Sequence, residues 1–310
     1  MMASTILNQT IIMLILIGVG VVCAKTKLIS EASNKDLSKF VLQVVNPVVI
    51  FVSYQREYRT ELAKNLLLTF VLSVGAMAAL VLLSYVFVRK KEGKEFEIER
   101  FSSVYSNCGF MGIPLVNAIY HEEGVFYLTA FITVFNLVVW THGVILISGQ
   151  KDLRQVVKVF YSPTIISILL GLITFFAQVK LPETALTALG YIKDMNTPVA
   201  MIVSGVTIAA TNVPKLLKNI RVYYVCFLKL LVMPLILAVP FSLLHGVDEI
   251  VRMTILIAAA APPAAMCTLL SIRYGKNSIY SSEIFTAGTI LSVGSLPLVV
   301  KFTEYLTKMS

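Results

Sequence analysis

Acidic side chains are scarce in this chain, with 17 aspartates and glutamates among 310 residues, and all charged residues together make up only 14%. Soluble domains carry about 25% charged residues. The missing charge therefore excludes a water-soluble globule, and the 57% hydrophobic content with a mean hydropathy of +0.83 indicates an all-α integral membrane protein. Long linkers and low-complexity stretches are lacking too, so no sizeable soluble domain fits between the apolar runs. Histidine occurs three times, and Cys23, Cys108, Cys226 and Cys267 all fall in apolar segments. Neither zinc spacing nor a secreted disulfide framework can be drawn from them, and they read as small buried hydrophobes. There is no Gly-x-Ser-x-Gly elbow, no metal-spaced His/Glu set and no phosphate loop. These absences argue against an enzyme or an ATP-driven pump, and no cofactor or metal is expected. The net charge of +9 does not point to nucleic acid, because the basic residues sit in short loops between apolar runs, where they set orientation.

What is present is a succession of apolar runs near the roughly 20 residues needed to cross a bilayer. Ten are expected, at about 5–24, 37–54, 65–88, 101–119, 124–148, 162–179, 186–210, 221–244, 249–272 and 278–303. The run from Ile6 to Ala24 has no basic segment before it, and it reads as a first span instead of a cleaved signal. One set of loops holds Lys25, Lys27, Lys35 and Lys39, then Arg89 to Arg100, then Lys151, Arg154 and Lys158, then Lys215, Lys218 and Arg221, then Arg273 and Lys276. The opposite set has only Arg56, Arg59, Lys64, Lys180, Lys301 and Lys308. That imbalance places the first set in the cytoplasm and both termini outside the plasma (inner) membrane.

The fourth and ninth runs break in the same way, at Asn107-Cys-Gly-Phe-Met-Gly-Ile-Pro114 and at Ala258-Ala-Ala-Ala-Pro-Pro-Ala-Ala265. Two further pairs, Asn46-Pro47 with Asn196-Thr-Pro198 and Lys64-Asn65 with Lys218-Asn219, recur in the same order about 150 positions apart. Five spans are an odd number, so a second copy enters from the opposite face. Two inverted five-helix repeats are expected, 1–150 and 151–310, joined through the polar stretch Gly149 to Lys158.

Hydrocarbon tolerates freed backbone groups only where they are buried in protein or line a wet cavity. Paired breaks in matching halves therefore point to a transporter's substrate site. Asn107, Gly109, Gly112 and Pro114 are its first candidates, with Pro262 and Pro263, whose rings remove two donors in mid-membrane. A tight glycine packing face is the competing reading for the fourth run. Half-helix N-termini at such a crossing suit an anion. Asn46 and Asn196, polar groups beside kinks, serve equally well as ligands or as bonds to backbone. Charges within spans default to function. Lys193 with Asp194 reads as a proton-linked or substrate-facing pair, or as an interfacial pair. Lys229 and Glu283 read as an ion pair, more structural than coupling. His142 with Trp140 reads as an interfacial anchor.

The residues Asn107 to Leu115 resemble the fourth-span motif of the auxin efflux carrier family, whose plant members carry a similar Asn followed by Met-Gly-Ile-Pro-Leu. Ala260 to Tyr274, Ser292 to Leu298, and Asp194 with Ala200-Met201 and Gly205 are similar to its ninth, tenth and seventh spans. The resemblance covers essentially the whole chain. It implies ten spans in two inverted repeats, with spans four and nine crossing as broken helices between a scaffold and a moving, elevator-like transport domain. It also implies a small organic anion as substrate, auxin in plants and malate, malonate or similar acids in bacterial relatives. Departures are local: Ser106 stands where the plant carriers place proline, Pro262-Pro263 replaces Pro-Gln-Gly, and Thr60 with Glu61 occupies the acid position that accompanies Lys64. The long cytoplasmic loop of many plant members is absent. The expected function is a secondary transporter of a carboxylate working by alternating access, in contact with membrane lipid, with a homodimer as an open assembly state. The alternatives are a sodium-coupled bile-acid-type symporter, which should carry acids at the crossing, and a transporter-like receptor or sensor that binds without moving its ligand.

Overall fold

The computed structural model describes residues 2–90, 95–150 and 160–309. The junction between the expected halves lies outside the described residues from position 151 to 159, as do Lys91 and Lys94. In order, the helices are α1 (Met2–Lys25), α2 (Glu31–Ser53), α3 (Thr60–Phe87), α4 (Phe96–Val104), α5 (Cys108–Ser148), α6 (Pro163–Ala177) and α7 (Glu183–Asp194). They continue as α8 (Asn196–Ala209), α9 (Val213–Lys218), α10 (Ile220–Ser242), α11 (Glu249–Ala260), α12 (Met266–Arg273) and α13 (Ser278–Met309). No strand occurs among the described residues, only one isolated antiparallel bridge. Among the described residues six helices, α1, α2, α3, α5, α10 and α13, are long and apolar enough to cross a membrane. The remaining expected spans are shorter helices or pairs of them.

Local chemistry accounts for where these helices start and bend. Ser30, Ser162, Asn212 and Asp248 cap α2, α6, α9 and α11, each side chain accepting an amide hydrogen of the first turn. Because Ser30 caps it, α2 begins at Glu31 with two polar turns, several residues before the expected apolar run. Wide π turns at Val41–Val45, Cys108–Gly112 and Leu228–Val232 each lie just ahead of a proline, Pro47, Pro114 and Pro234. A proline ring has no N–H and crowds the carbonyl four residues back, and the extra residue in the turn relieves that clash. The long α5 is two arms, since His121 has φ of +52° and leaves the helical region. Few L-residues adopt a positive φ, and here it marks the point where the chain bends.

Packing on one side of the fold is very close. A Cβ on Gly205 would overlap the carbonyl oxygen of Ile17, and one on Gly20 that of Ile202, so α1 and α8 touch backbone to backbone. Small residues permit this approach where lipid offers no hydrophobic drive. Valine at Gly205 is expected to lower stability by about 1–3 kcal/mol or to prevent recovery of folded protein, because backbone cannot yield as a flexible side chain does. Detergent-solubilised thermal melts check it, and a wild-type midpoint would refute the contact.

Elsewhere in the bundle, α4 is anchored to its neighbours by charged side chains. Glu99, 2% exposed, accepts two hydrogen bonds from Arg221 at 2.7 and 2.6 Å and one from Tyr280 at 3.0 Å. Such two-pronged arginine–carboxylate pairs fix orientation as well as energy. Lys276–Glu97 at 3.2 Å and Asn277–Glu95 at 3.3 Å extend the collar to the turn before α13. The collar sets the direction in which α4 runs to its break.

Candidate functional site

The two interrupted segments meet. After Val104 the backbone turns extended at Tyr105 (ψ 114°), and after Ala260 it does so at Ala261 (ψ 148°). The two extended stretches run antiparallel, with a bridge between Ser106 and Pro263. The Asn107 amide donates to the Pro262 carbonyl at 2.7 Å, and the Ala264 amide donates to the Tyr105 carbonyl at 3.0 Å. Pro262 and Pro263 have no N–H to give, so one of these two bonds uses a proline only as acceptor and the other takes its donor from Ala264. Buried backbone must be paired. Each break thus supplies what the other lost, in a region where Tyr105, Ser106, Ala261 and Ala264 are all buried.

Neighbouring side chains hold this crossing. Pro263 presses on α13 at Gly288, where a Cβ would overlap the proline Cδ. The Tyr105 hydroxyl meets His142 Nδ1 at 2.8 Å, and His142 Nε2 lies 3.2 Å from the Tyr85 hydroxyl. Both ring nitrogens of His142, expected as an interfacial anchor, thus take part in a network that reaches the break. Lys229, fully buried, donates to the carbonyls of Val104 and Ala259, each at 3.0 Å. The expected ion pair with Glu283 does not form. Glu283 is 1% exposed, accepts from Asn219 Nδ2 at 3.2 Å, and keeps its other oxygen without a partner among the described residues. The physical reason is that helices stopping in mid-bundle offer carbonyls as strong acceptors.

Asn46 and Asn196, 150 positions apart, are hydrogen-bonded to each other at 2.6 Å and buried. They join α2 to α8 beside the start of α5, since a Cβ on Gly109 would lie 3.4 Å from Asn46 Nδ2. Gly112 closes the wide turn, where a Cβ would lie 3.3 Å from that of Cys108. Asn107 Nδ2 and Asn196 Oδ1 are buried without partners among the described residues. An unmet buried donor or acceptor costs about 1–3 kcal/mol, and a small polar guest can recover that.

A cavity of about 110 Å³ opens beneath this pair, lined by Val49 and Ser53 of α2, Ile113, Pro114, Asn117, Glu122 and Val125 of α5, and Lys193, Asp194, Asn196 and Thr197 of α7 and α8. Lys193 does not pair with Asp194. It bonds Glu122 at 2.7 Å across the cavity, while Asp194 is exposed. Consecutive helical residues point about 100° apart and cannot face each other. The candidates thus form a connected series: Lys193 and Asp194 at the cavity's edge with Pro114, Asn196 shared with Asn46 and Gly109, and Asn107 with Pro262, Pro263 and Lys229 at the crossing outside the cavity. Gly288, Tyr105 and Glu122 carry no signal of their own in the sequence, since each looks like an ordinary residue of its span. Among the described residues no group of three or more His, Cys, Asp or Glu is placed to hold a metal ion.

A family model described as "Membrane transport protein" matches residues 5–300. Relatives align over most of both chains. A protein of Methanothermobacter thermautotrophicus named "Uncharacterized transporter" is 25% identical over 92% of this chain and 94% of its own. One of Rhizobium meliloti named "Putative malonate transporter" is 23% identical over 84% of each. "Uncharacterized transporter YfdV" of Escherichia coli K12 is 24% identical over 84% of this chain and 86% of its own. With apolar helices and a family match over almost its whole length, the chain belongs to the membrane transport protein family, that of the auxin efflux carriers, and is a multi-pass membrane transporter, not an enzyme.

Proposed function

We propose that this transporter moves a small organic anion, a carboxylate, by alternating access around the crossed breaks. The observation that carries the reading is the pairing of the breaks through Asn107 and Pro262 and through Ala264 and Tyr105. That pairing sets the starts of α5 and α12 at one place, and the first amides of a helix have no intrahelical acceptor. They are aligned donors for an anion. The cavity beside Asn196 gives a route of approach, and the malonate in the name of the Rhizobium meliloti relative supports a carboxylate.

In this reading the spans number ten: α1, α2, α3, α4 with the first arm of α5, its second arm, α6, α7 with α8, α10, α11 with α12, and α13. They form two inverted halves, 1–150 and 151–310, with both termini outside the cytoplasm. Thermal-shift screening of the purified protein against mono- and dicarboxylates, malonate and indole-3-acetate included, followed by labelled flux into proteoliposomes, tests the proposal. Selective stabilisation and saturable flux of one acid support it. Stabilisation by cations alone, or binding without flux, overturns it, the latter in favour of a sensor.

A further inference from the structure

Lys229 sits in the wide turn Leu228–Val232 of α10, with no exposed surface, and its ammonium is shared between Val104 and Ala259. Those two carbonyls lie in the last turns of α4 and α11, where both helices stop at the crossing. Crossed interrupted helices bring four ends together. The C-terminal ends of α4 and α11 each carry about half a negative elementary charge, and the N-terminal ends of α5 and α12 about half a positive one. Left alone, these sum to nearly nothing, and the place has no preference between anion and cation. One ammonium bonded to both C-terminal ends offsets about one elementary charge there, so the N-terminal ends stand uncompensated.

Neither buried acid pairs with Lys229. Glu99 is neutralised by Arg221 and also accepts from Tyr280, while Glu283 accepts only from the Asn219 amide among the described residues. A lysine in mid-bundle is costly unless its donors find acceptors, and two of the three ammonium donors meet the two converging carbonyls.

We propose that Lys229 is a positioning residue that makes the crossing electropositive: it ties the two C-terminal ends together and so sets the preference for anions without touching the substrate. The inference rests on the carboxylate reading above. The test uses the full-length protein in proteoliposomes with malonate as the probe and malonamide, its neutral isostere, as competitor. Lys229→Gln, which keeps a donor but not the charge, is expected to raise the half-saturating malonate concentration about tenfold while malonamide competes as well as before or better. Lys229→Arg, which keeps the charge, should recover most of that loss. An unchanged half-saturation in Lys229→Gln overturns the charge role.

A second arm needs no substrate. Lys229→Gln and Lys229→Met are expected to melt below wild type and below Lys229→Arg. An ordinary buried ammonium is destabilising and its neutral replacement harmless or better, so a Lys229→Gln midpoint at or above wild type refutes the proposal. Wild-type protein that binds and moves none of the screened carboxylates, malonate included, counts against the carboxylate reading, and the melting arm then still decides whether Lys229 ties the two C-terminal ends together.

Discussion

Alanine at Asn107 is expected to cut carboxylate uptake by about ten- to a hundredfold, the worth of one buried hydrogen bond to a charged guest, while the protein stays folded in the membrane. The backbone of Asn107 does the structural service. Its amide bonds Pro262, and its carbonyl accepts from Met111 at 2.9 Å and Gly112 at 3.2 Å, all of which alanine preserves. Only the side-chain amide disappears, and its Nδ2 is buried without a partner among the described residues. Removing an unmet donor costs no bond in the empty protein, so the melting midpoint should hold or rise. Flux loss without destabilisation separates a ligand-binding amide from a structural one. Uptake at the wild-type rate in Asn107→Ala would remove Asn107 from the site.

The breaks were legible in the sequence because proline, glycine and asparagine act locally: Pro262-Pro263 disrupts its helix whatever surrounds it. That the two breaks pair with each other was not legible in the same way, since the choice of partner depends on chain segments more than 150 residues apart. The repeat supplied part of that information. Asn46 and Asn196 stood out as a matched pair, and they bond directly. Reasoning from side chains failed where the partner is backbone. Lys229 was recognised as a charge within a span, but its partners are the carbonyls of Val104 and Ala259, which exist as free acceptors only because the helices stop there. For Lys193 the partner is a side chain but a distant one: the adjacent acid is the obvious partner in sequence and the wrong one in space, since Glu122 is brought near by the bend at His121. Gly288 left no trace, because one glycine in an apolar span looks like another until a ring is found against it.

That difference between glycines gives a second large effect, with opposite signs on one helix. Gly288 and Gly294 both lie in α13. A Cβ at Gly294 would meet nothing within 4 Å, and alanine there should leave the melting midpoint unchanged or raise it, because glycine is about 1 kcal/mol poorer than alanine in a helix. A Cβ at Gly288 would overlap Pro263 Cδ and lie 2.9 Å from its Cγ. The proline ring is not the far end of a flexible chain, and the residues on either side of it, Pro262 and Ala264, are pinned by hydrogen bonds to the other break. Valine at Gly288 must therefore push the whole break, at about 1–3 kcal/mol of overpacking. Transport should fall further than stability does, because a displaced Pro263 carries Pro262 and its bond to Asn107 with it. Melting and flux measured on the same preparations of both variants decide the matter, and a Gly288→Val protein that transports like wild type would show that the crossing need not be held in this geometry.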